Sequence, residues 1–397
     1  MDFPDITSPQ AQKFIRDNLH VPVEELLLSG KKYPGLNISL LVSQIEGKNK
    51  AAKKLPTWFQ AKEVIYPLKL SMEQCSSEAT AAYKAALLSG TTLIDLTGGF
   101  GVDSVAFAEK MEKVIYLERT TELVDIAAYN FRILKKKNIE VVNTNAENFI
   151  SNYSGKADWV YIDPARRKEG GKVFRFVDCE PDIVKIQQDI FKISDNILIK
   201  TSPLLDIDQA VKELGYVKEV HVLAVDNDCK ELLFILNKNI GIPVPEIIAV
   251  NIRKGSIKEE FRFSRKFENA LEVKLGLPQN YIYEPNAAIL KAGAFKSIAA
   301  ARGFFKLHVS SHLYSSDEYQ PDFPGRIFRL LKTLKYSKKE ILAEIPDGKA
   351  NITIRNFPDT VEVIRKKTGL KDGGDNYLFA TKDRYDKLIV LLTEKMN

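Results

Sequence analysis

The stretch Leu93–Ser104 reads LIDLTGGFGVDS. A short apolar run ends in Asp95, and Gly98, Gly99 and Gly101 follow within a few positions. Apolar residues leading into a glycine bend, and then into the helically spaced DSVAFAEKM, predict a strand, a tight turn and a helix. Glycine lets the backbone turn sharply and come close to a ligand. The helix that follows offers its free N–H groups to the same place. The bend therefore holds a nucleotide-like molecule, or it is only a tight turn.

Spacing narrows the choice of ligand. The dinucleotide fingerprint is G-x-G-x-x-G, and here Gly99-x-Gly101-x-x is followed by Ser104, so the third glycine is missing. Asp95 stands ahead of the bend, where a carboxylate repels a diphosphate and suits a cation. S-adenosylmethionine has an α-amino group and a sulfonium and carries no phosphate, so the pattern favours it over NAD. The candidate cofactor residues along the bend are Asp95, Thr97, Gly98, Gly99, Phe100 and Gly101. The next strand, KVIYLE, ends in Glu118. An acid there can accept both ribose hydroxyls of either cofactor, or it is a solvated acid at a helix start. The third strand runs into NTNAENF, where Asn145 or Glu147 can hydrogen-bond the adenine amino group. Asn145 and Ala146 complete the cofactor side.

Working outward, residues 1–75 read as helical. SPQAQKFIRDNL opens with Ser8 as cap and Pro9 in the first turn, and NISLLVSQIEGKNKAAKKL has helical spacing up to Pro56. CSSEATAAYKAALLSG is a further helix, capped by Ser76 or Ser77 and stopped by Gly90. From Leu93 short apolar strands alternate with amphipathic helices, which implies an α/β fold with a parallel sheet covered on both faces. YVKEVHVLAV and KELLFILNK lack a helix between them, so they predict an antiparallel hairpin at one edge. The prolines of NIGIPVPE predict a boundary near residues 238–246, and small α+β elements follow.

A chain of 397 residues implies several domains, and 45% apolar residues can bury a sizeable core. The formal charge of +6 permits an anionic partner without demanding one; from Pro321 onward 16 Lys+Arg face 11 Asp+Glu. Cys75, Cys179 and Cys229 are far apart and form no CxxC, so neither a disulfide framework nor a zinc site is expected. His308 and His312 could hold a metal on a helix, but nothing nearby completes a ligand set, and no metal is expected. The N-terminus MDFPDITSPQ lacks a signal-peptide layout, and no apolar run approaches a membrane span of about 20 residues. A cytoplasmic protein with no membrane partner is expected.

DLTGGFGVDSVAFA, Glu118 and YIDPARR together resemble the motifs of class I S-adenosylmethionine-dependent methyltransferases over roughly residues 75–237. The resemblance implies a Rossmann-like seven-stranded sheet in the order 3-2-1-4-5-7-6, its last strand antiparallel. The bend is similar to that of RNA-modifying members such as trimethylguanosine synthases. YIYEPNAAILKAG resembles a small ferredoxin-like insert, and ITIRNFPDTVEVIRKKTGLKDGGDNYLFAT resembles the THUMP-like tail of bacterial proteins that join these parts. The organisation implied is a helical region over 1–75, a methyltransferase domain over 76–240, a linker and ferredoxin-like domain over 241–322, and a THUMP-like domain over 323–397.

In that family an acid or amide followed by Pro-Pro-aromatic holds an exocyclic base nitrogen. Asp163 and Pro164 match; Ala165 and Arg166 depart, although an Arg plane can stack on a base or pair with phosphate. Asp163, Pro164 and Arg166 are thus the candidate catalytic residues. IKTSPLLD, after the fifth strand, has no cysteine, which speaks against pyrimidine C5 chemistry. ARRKEGGKVFRF is a candidate loop over an anionic substrate, or a solvated loop, and Arg355, Arg365, Lys366 and Lys367 are a candidate RNA-gripping face. The resemblance implies methyl transfer to a base of tRNA or rRNA with Asp163 orienting the acceptor. The rivals are a non-catalytic RNA-binding module on the same fold and an NAD-dependent oxidoreductase.

Overall fold

The computed structural model describes residues 3–29, 32–67, 69–166, 175–241, 244–253 and 258–396. The chain divides into two compact units, residues 1–218 with 233–243, and residues 219–232 with 244–397.

Helices open the first unit. Ser8 caps α1 (Pro9–Asp17), Asn37 caps α2 (Ile38–Lys54) and Ser77 caps α3 (Glu78–Ala86), each side-chain oxygen accepting from an otherwise unbonded backbone N–H. The buried faces of α1 and α2 share one apolar core with Trp58, Phe100 and Val102. Between α2 and α3 the chain passes through Val64–Tyr66, which is buried yet belongs to no sheet. Amide side chains take the place of a strand partner there. Gln44 donates to Tyr66 O at 2.9 Å and accepts from Tyr66 N at 2.8 Å; Asn130 donates to Ile65 O at 2.8 Å and accepts from Ile65 N at 2.9 Å. Buried backbone polar groups are thereby satisfied without a ladder.

Five parallel strands follow: β1 (Thr92–Asp95), β2 (Lys113–Glu118), β3 (Ile139–Asn143), β4 (Trp159–Ile162) and β5 (Asn196–Thr201). Their connecting helices include α4 (Val102–Phe107), α5 (Thr121–Ile133), α6 (Ala146–Asn152) and α7 (Ile183–Ile193). Leu93, Ile94 and all of β4 are buried, as expected for strands covered on both faces. After α8 (Ile207–Leu214) come β6 (Val217–Val225) and β7 (Asp228–Asn237). Asp226 and Asn227, both at positive φ, make the two-residue turn that sends β7 back antiparallel.

The sheet does not stop at seven strands. Residues 246–264, read from sequence as the far side of a boundary, form β8 (Glu246–Ile252) and β9 (Lys258–Ser264). β8 lies parallel to β6 and β9 antiparallel to β8, so the order is β9-β8-β6-β7-β5-β4-β1-β2-β3. Pro245 lies ahead of β8, and the buried run from Ile247 to Ile252 satisfies its backbone on both sides.

Further along the second unit lie β10 (Tyr281–Pro285), β11 (Phe305–Lys306), β12 (Tyr314–Ser316), β13 (Gly325–Lys335), β14 (Asn351–Arg355), β15 (Asn376–Lys382) and β16 (Leu388–Lys395). They form one sheet in the order β11-β12-β10-β13-β16-β15-β14, because β10 pairs antiparallel with both β12 and β13. The two C-terminal stretches read separately in the sequence thus share a sheet. No described helix is long and apolar enough to cross a membrane.

The Asn130 bridge is a direct test of this architecture. Asn130→Ala leaves the N–H and C=O of Ile65 buried without partners and lowers unfolding stability by roughly 2–4 kcal/mol, read from urea-unfolding midpoints.

Candidate functional site

The glycines of the bend serve two different purposes. Gly98 N donates to Leu117 O at 2.7 Å, and a Cβ at Gly98 would overlap the Tyr116 ring. A Cβ at Gly101, where φ is +86°, would fall 2.7 Å from the Phe131 ring. These two glycines let the bend lie against β2 and α5. Gly99 has φ of +54°, and a Cβ there would meet only Thr97 O, at 3.9 Å. Its open side is the one a ligand can approach.

Asp95 closes the bend from beneath. It is wholly buried; Oδ2 accepts from Ser104 Oγ at 2.5 Å and Oδ1 from Thr97 N at 3.1 Å. Burial pushes its pKa up to about 7, the nearby charges of Asp103 and Asp163 add to that, and its two hydrogen bonds oppose it. Asp95 has no exposed surface to offer a ligand directly. Glu118 ends β2 half-buried, its Oε2 accepting from Gly99 N at 3.1 Å and its Oε1 from Thr120 N at 2.7 Å. Each of these oxygens keeps a lone pair for a hydroxyl donor.

The other cofactor-side residues separate. Thr97 Oγ1 accepts from Asp163 N at 2.7 Å, tying the bend to the end of β4. Phe100 turns the other way: it is buried against Trp58, with ring centroids 4.6 Å apart, and belongs to the core with the N-terminal helices. Asn145 is exposed and caps α6, its Oδ1 accepting from Asn148 N at 2.8 Å, and Ala146 is buried behind it.

On the acceptor side Asp163 is partly exposed and Pro164 buried. The backbone of Ala165 and Arg166 pairs with Glu180 and Cys179. The Arg166 side chain, and residues 167–174 of the candidate basic loop, lie outside the described residues. Two lysines were not picked out by their sequence pattern. Lys200, next to last in β5, holds Asp163 Oδ2, and its side chain is 11% exposed. Lys84, on α3, has no exposure and pairs with Asp103 at 3.1 Å. Burial works to raise the Asp103 pKa; Lys84 and Lys200, with hydrogen bonds from Ser76 and Tyr161, outweigh it and hold the carboxyl below its usual range. The available signal was a lone charge inside an apolar run, NILIKT in one case and AAYKAALL in the other.

Outside this edge the sequence candidates recede. Cys179 is buried, burial raises the thiol pKa of Cys75, and it raises that of Cys229 to about 11. His308 and His312 flank a turn and lie on no helix, and no group of three metal-ligating side chains occurs among the described residues. Much of the candidate basic face is engaged within the second unit. Arg355 pairs with Glu284 at 2.6 Å, Lys367 with Asp359 at 2.6 Å, and Arg365 with Asp372, while Lys366 is exposed.

Comparison with known proteins bears on the C-terminal part through family models and on nearly the whole chain through a solved structure. Residues 281–324 match a ferredoxin-like domain model and residues 325–395 a THUMP domain-like model. The crystal structure of a putative methyltransferase from Porphyromonas gingivalis W83 superposes with a TM-score of 0.87 at 31% identity, covering 97% of both chains. An uncharacterized S-adenosylmethionine-dependent methyltransferase of Mycobacterium tuberculosis is 20% identical over 76% of this chain and 80% of that protein. An uncharacterized RNA methyltransferase of Thermotoga maritima is 32% identical over 24% of each chain.

The buried Asp95 implies a pH signature. Its folded pKa of about 7 lies above its ordinary value, so its contribution to stability is full below about pH 4 and is lost as pH rises through 7. Asp95→Asn carries no such charge. From pH 4.5 to pH 8 the wild type loses on the order of 2–4 kcal/mol relative to Asp95→Asn, measured by urea unfolding at each pH.

Proposed function

Because the chain belongs to the S-adenosylmethionine-dependent methyltransferases that carry a C-terminal THUMP-like domain, we propose that it methylates a base of structured RNA at the edge shared by Gly99, Glu118 and Asp163. The observation that carries this reading is the hydrogen bond from Asp163 N to Thr97 Oγ1, 2.7 Å long. It ties Asp163 to the glycine bend through the single residue Thr97. β1 has β2 on one side and β4 on the other, so both lie at the strand ends where the connections diverge, the usual ligand position in such sheets.

The residues suit S-adenosylmethionine. Gly99 leaves open backbone for the close approach of its amino-acid part, and Glu118 has lone pairs left for the ribose hydroxyls. Asp95, Glu118 and Asp163 make the edge acidic, which favours a cationic ligand and opposes a diphosphate such as that of NAD. When bound, the cofactor supplies an already electrophilic methyl group. What remains for the chain is to hold the acceptor nitrogen in line, a positioning effect worth about 7–11 kcal/mol at best. Asp163 takes the acceptor's N–H as a hydrogen bond, stabilises the positive charge that grows on the nitrogen, and receives the proton it sheds. Ser202, Pro203 and Leu204 follow β5 with no cysteine among them, so the reading is transfer to nitrogen and not a covalent route to pyrimidine C5. RNA as the substrate class rests on the THUMP-like match, the relative named as an RNA methyltransferase, and the cationic C-terminal fifth.

Two measurements test this. Calorimetric titration gives saturable binding of S-adenosylhomocysteine and none of NAD; the reverse result would return the oxidoreductase. Incubation with methyl-tritiated S-adenosylmethionine and total cellular RNA places label in RNA, and Asp163→Ala lowers turnover roughly 100-fold with S-adenosylhomocysteine affinity unchanged. Cofactor binding without transfer to RNA would remove RNA as the acceptor.

A further inference from the structure

Lys200 is out of place for a central parallel strand. β5 reads NILIKT, and Ile197, Leu198 and Ile199 are wholly buried. Such strands are ordinarily continuous apolar runs, and burying an ammonium costs several kcal/mol unless charges and hydrogen bonds compensate it. Compensation comes from the acids at the same edge. Lys200 Nζ contacts Asp163 Oδ2, and its charge also reaches Asp103.

The groups around this pair come from each neighbouring element: Asp95 from β1, Asp103 from α4, Tyr161 from β4, Lys84 from α3 and Cys75 just ahead of α3. Among the described residues, the carboxyl groups of Asp95, Asp103 and Asp163 share this region with the ammonium groups of Lys84 and Lys200. Without Lys200, no cation among the described residues touches Asp163, whose charge is felt by Asp95, and losing a neighbouring cation disfavours the ionised form of a carboxyl. A protonated Asp163 could not take a proton from an acceptor. Asp163 Oδ2 is occupied by Lys200, its backbone N–H by Thr97, and Oδ1 has no partner among the described residues.

We propose that Lys200 is a positioning residue for the methyl acceptor: it pins Asp163 Oδ2, leaves Oδ1 to the acceptor's N–H, and sets a cation against the carboxylate. This rests on the reading of Asp163 as the acceptor-side acid.

The first arm of the test is independent of any acceptor. In protein labelled with 13C at the aspartate carboxyls, the Asp163 signal is assigned by its loss in Asp163→Asn and titrated with and without Lys200. In Lys200→Met the Asp163 pKa rises by about 1–3 units; an unchanged titration overturns the proposal. Should Lys200→Met fail to fold, Lys200→Gln, of similar length and uncharged, takes its place. The second arm uses methyl-tritiated S-adenosylmethionine with total RNA. Lys200→Met lowers turnover roughly 100-fold and moves the rising limb of the pH profile upward, S-adenosylhomocysteine affinity stays unchanged by calorimetry, and Lys200→Arg restores most of the turnover. Full turnover with an unmoved profile overturns the proposal while leaving RNA methylation intact. If the wild type itself labels no RNA, the RNA reading fails, and the titration alone decides Lys200.

Discussion

A carboxylate without exposure must find donors inside the protein, and Asp95 finds them at both ends of the bend it precedes. Ser104 opens onto it from α4 and Thr97 N from the turn itself, so the loop is cinched around one buried acid. That arrangement explains the local sequence. Gly98 and Gly101 must lie flat on Tyr116 and Phe131 for the loop to close this tightly, and Ser104 stands where a dinucleotide loop would have its third glycine. The third glycine of a dinucleotide loop is here replaced by a hydroxyl that anchors a buried acid.

From that anchor a chain of polar contacts spreads along the strand ends. Thr97 passes from the bend to Asp163, Asp163 to Lys200, and Asp103 gathers Lys84, Ser76 and Tyr161. Polar networks in a low-dielectric interior are strong when each member is satisfied and costly when one is lost. The cofactor side and the acceptor side of the proposed reaction are therefore not two independent pockets. They share charges, and a change in one carboxyl is felt by the others.

The N-terminal helices belong to the same construction. Phe100, in the middle of the glycine bend, enters their core beside Trp58. Gln44 and Asn130 stitch the segment before α3 to that core with amide bonds. Residues 1–75 look like an appendage in the sequence; in the structure they support the outer wall of the bend.

Local patterning along the chain was sufficient for the strand-turn-helix at Leu93–Phe107, the cap at Ser8, a helix start at Ser76 or Ser77, the alternation up to Asn237 and the hairpin that turns at Asp226–Asn227, since each depends on neighbours a few residues apart. Long-range placement settled the rest. Whether Phe100 faces a ligand or a core depends on helices that precede it by dozens of residues, and β8 joins the sheet only because β6 offers it an edge after the prolines. Lys200 shows the limit most clearly. One cation in an apolar strand is a visible anomaly, but its meaning comes from Asp163, 37 residues earlier, and from Asp103 on another element. Periodicity and turn chemistry act along the chain, whereas charge compensation acts through space, and only the tertiary structure says which charges are near.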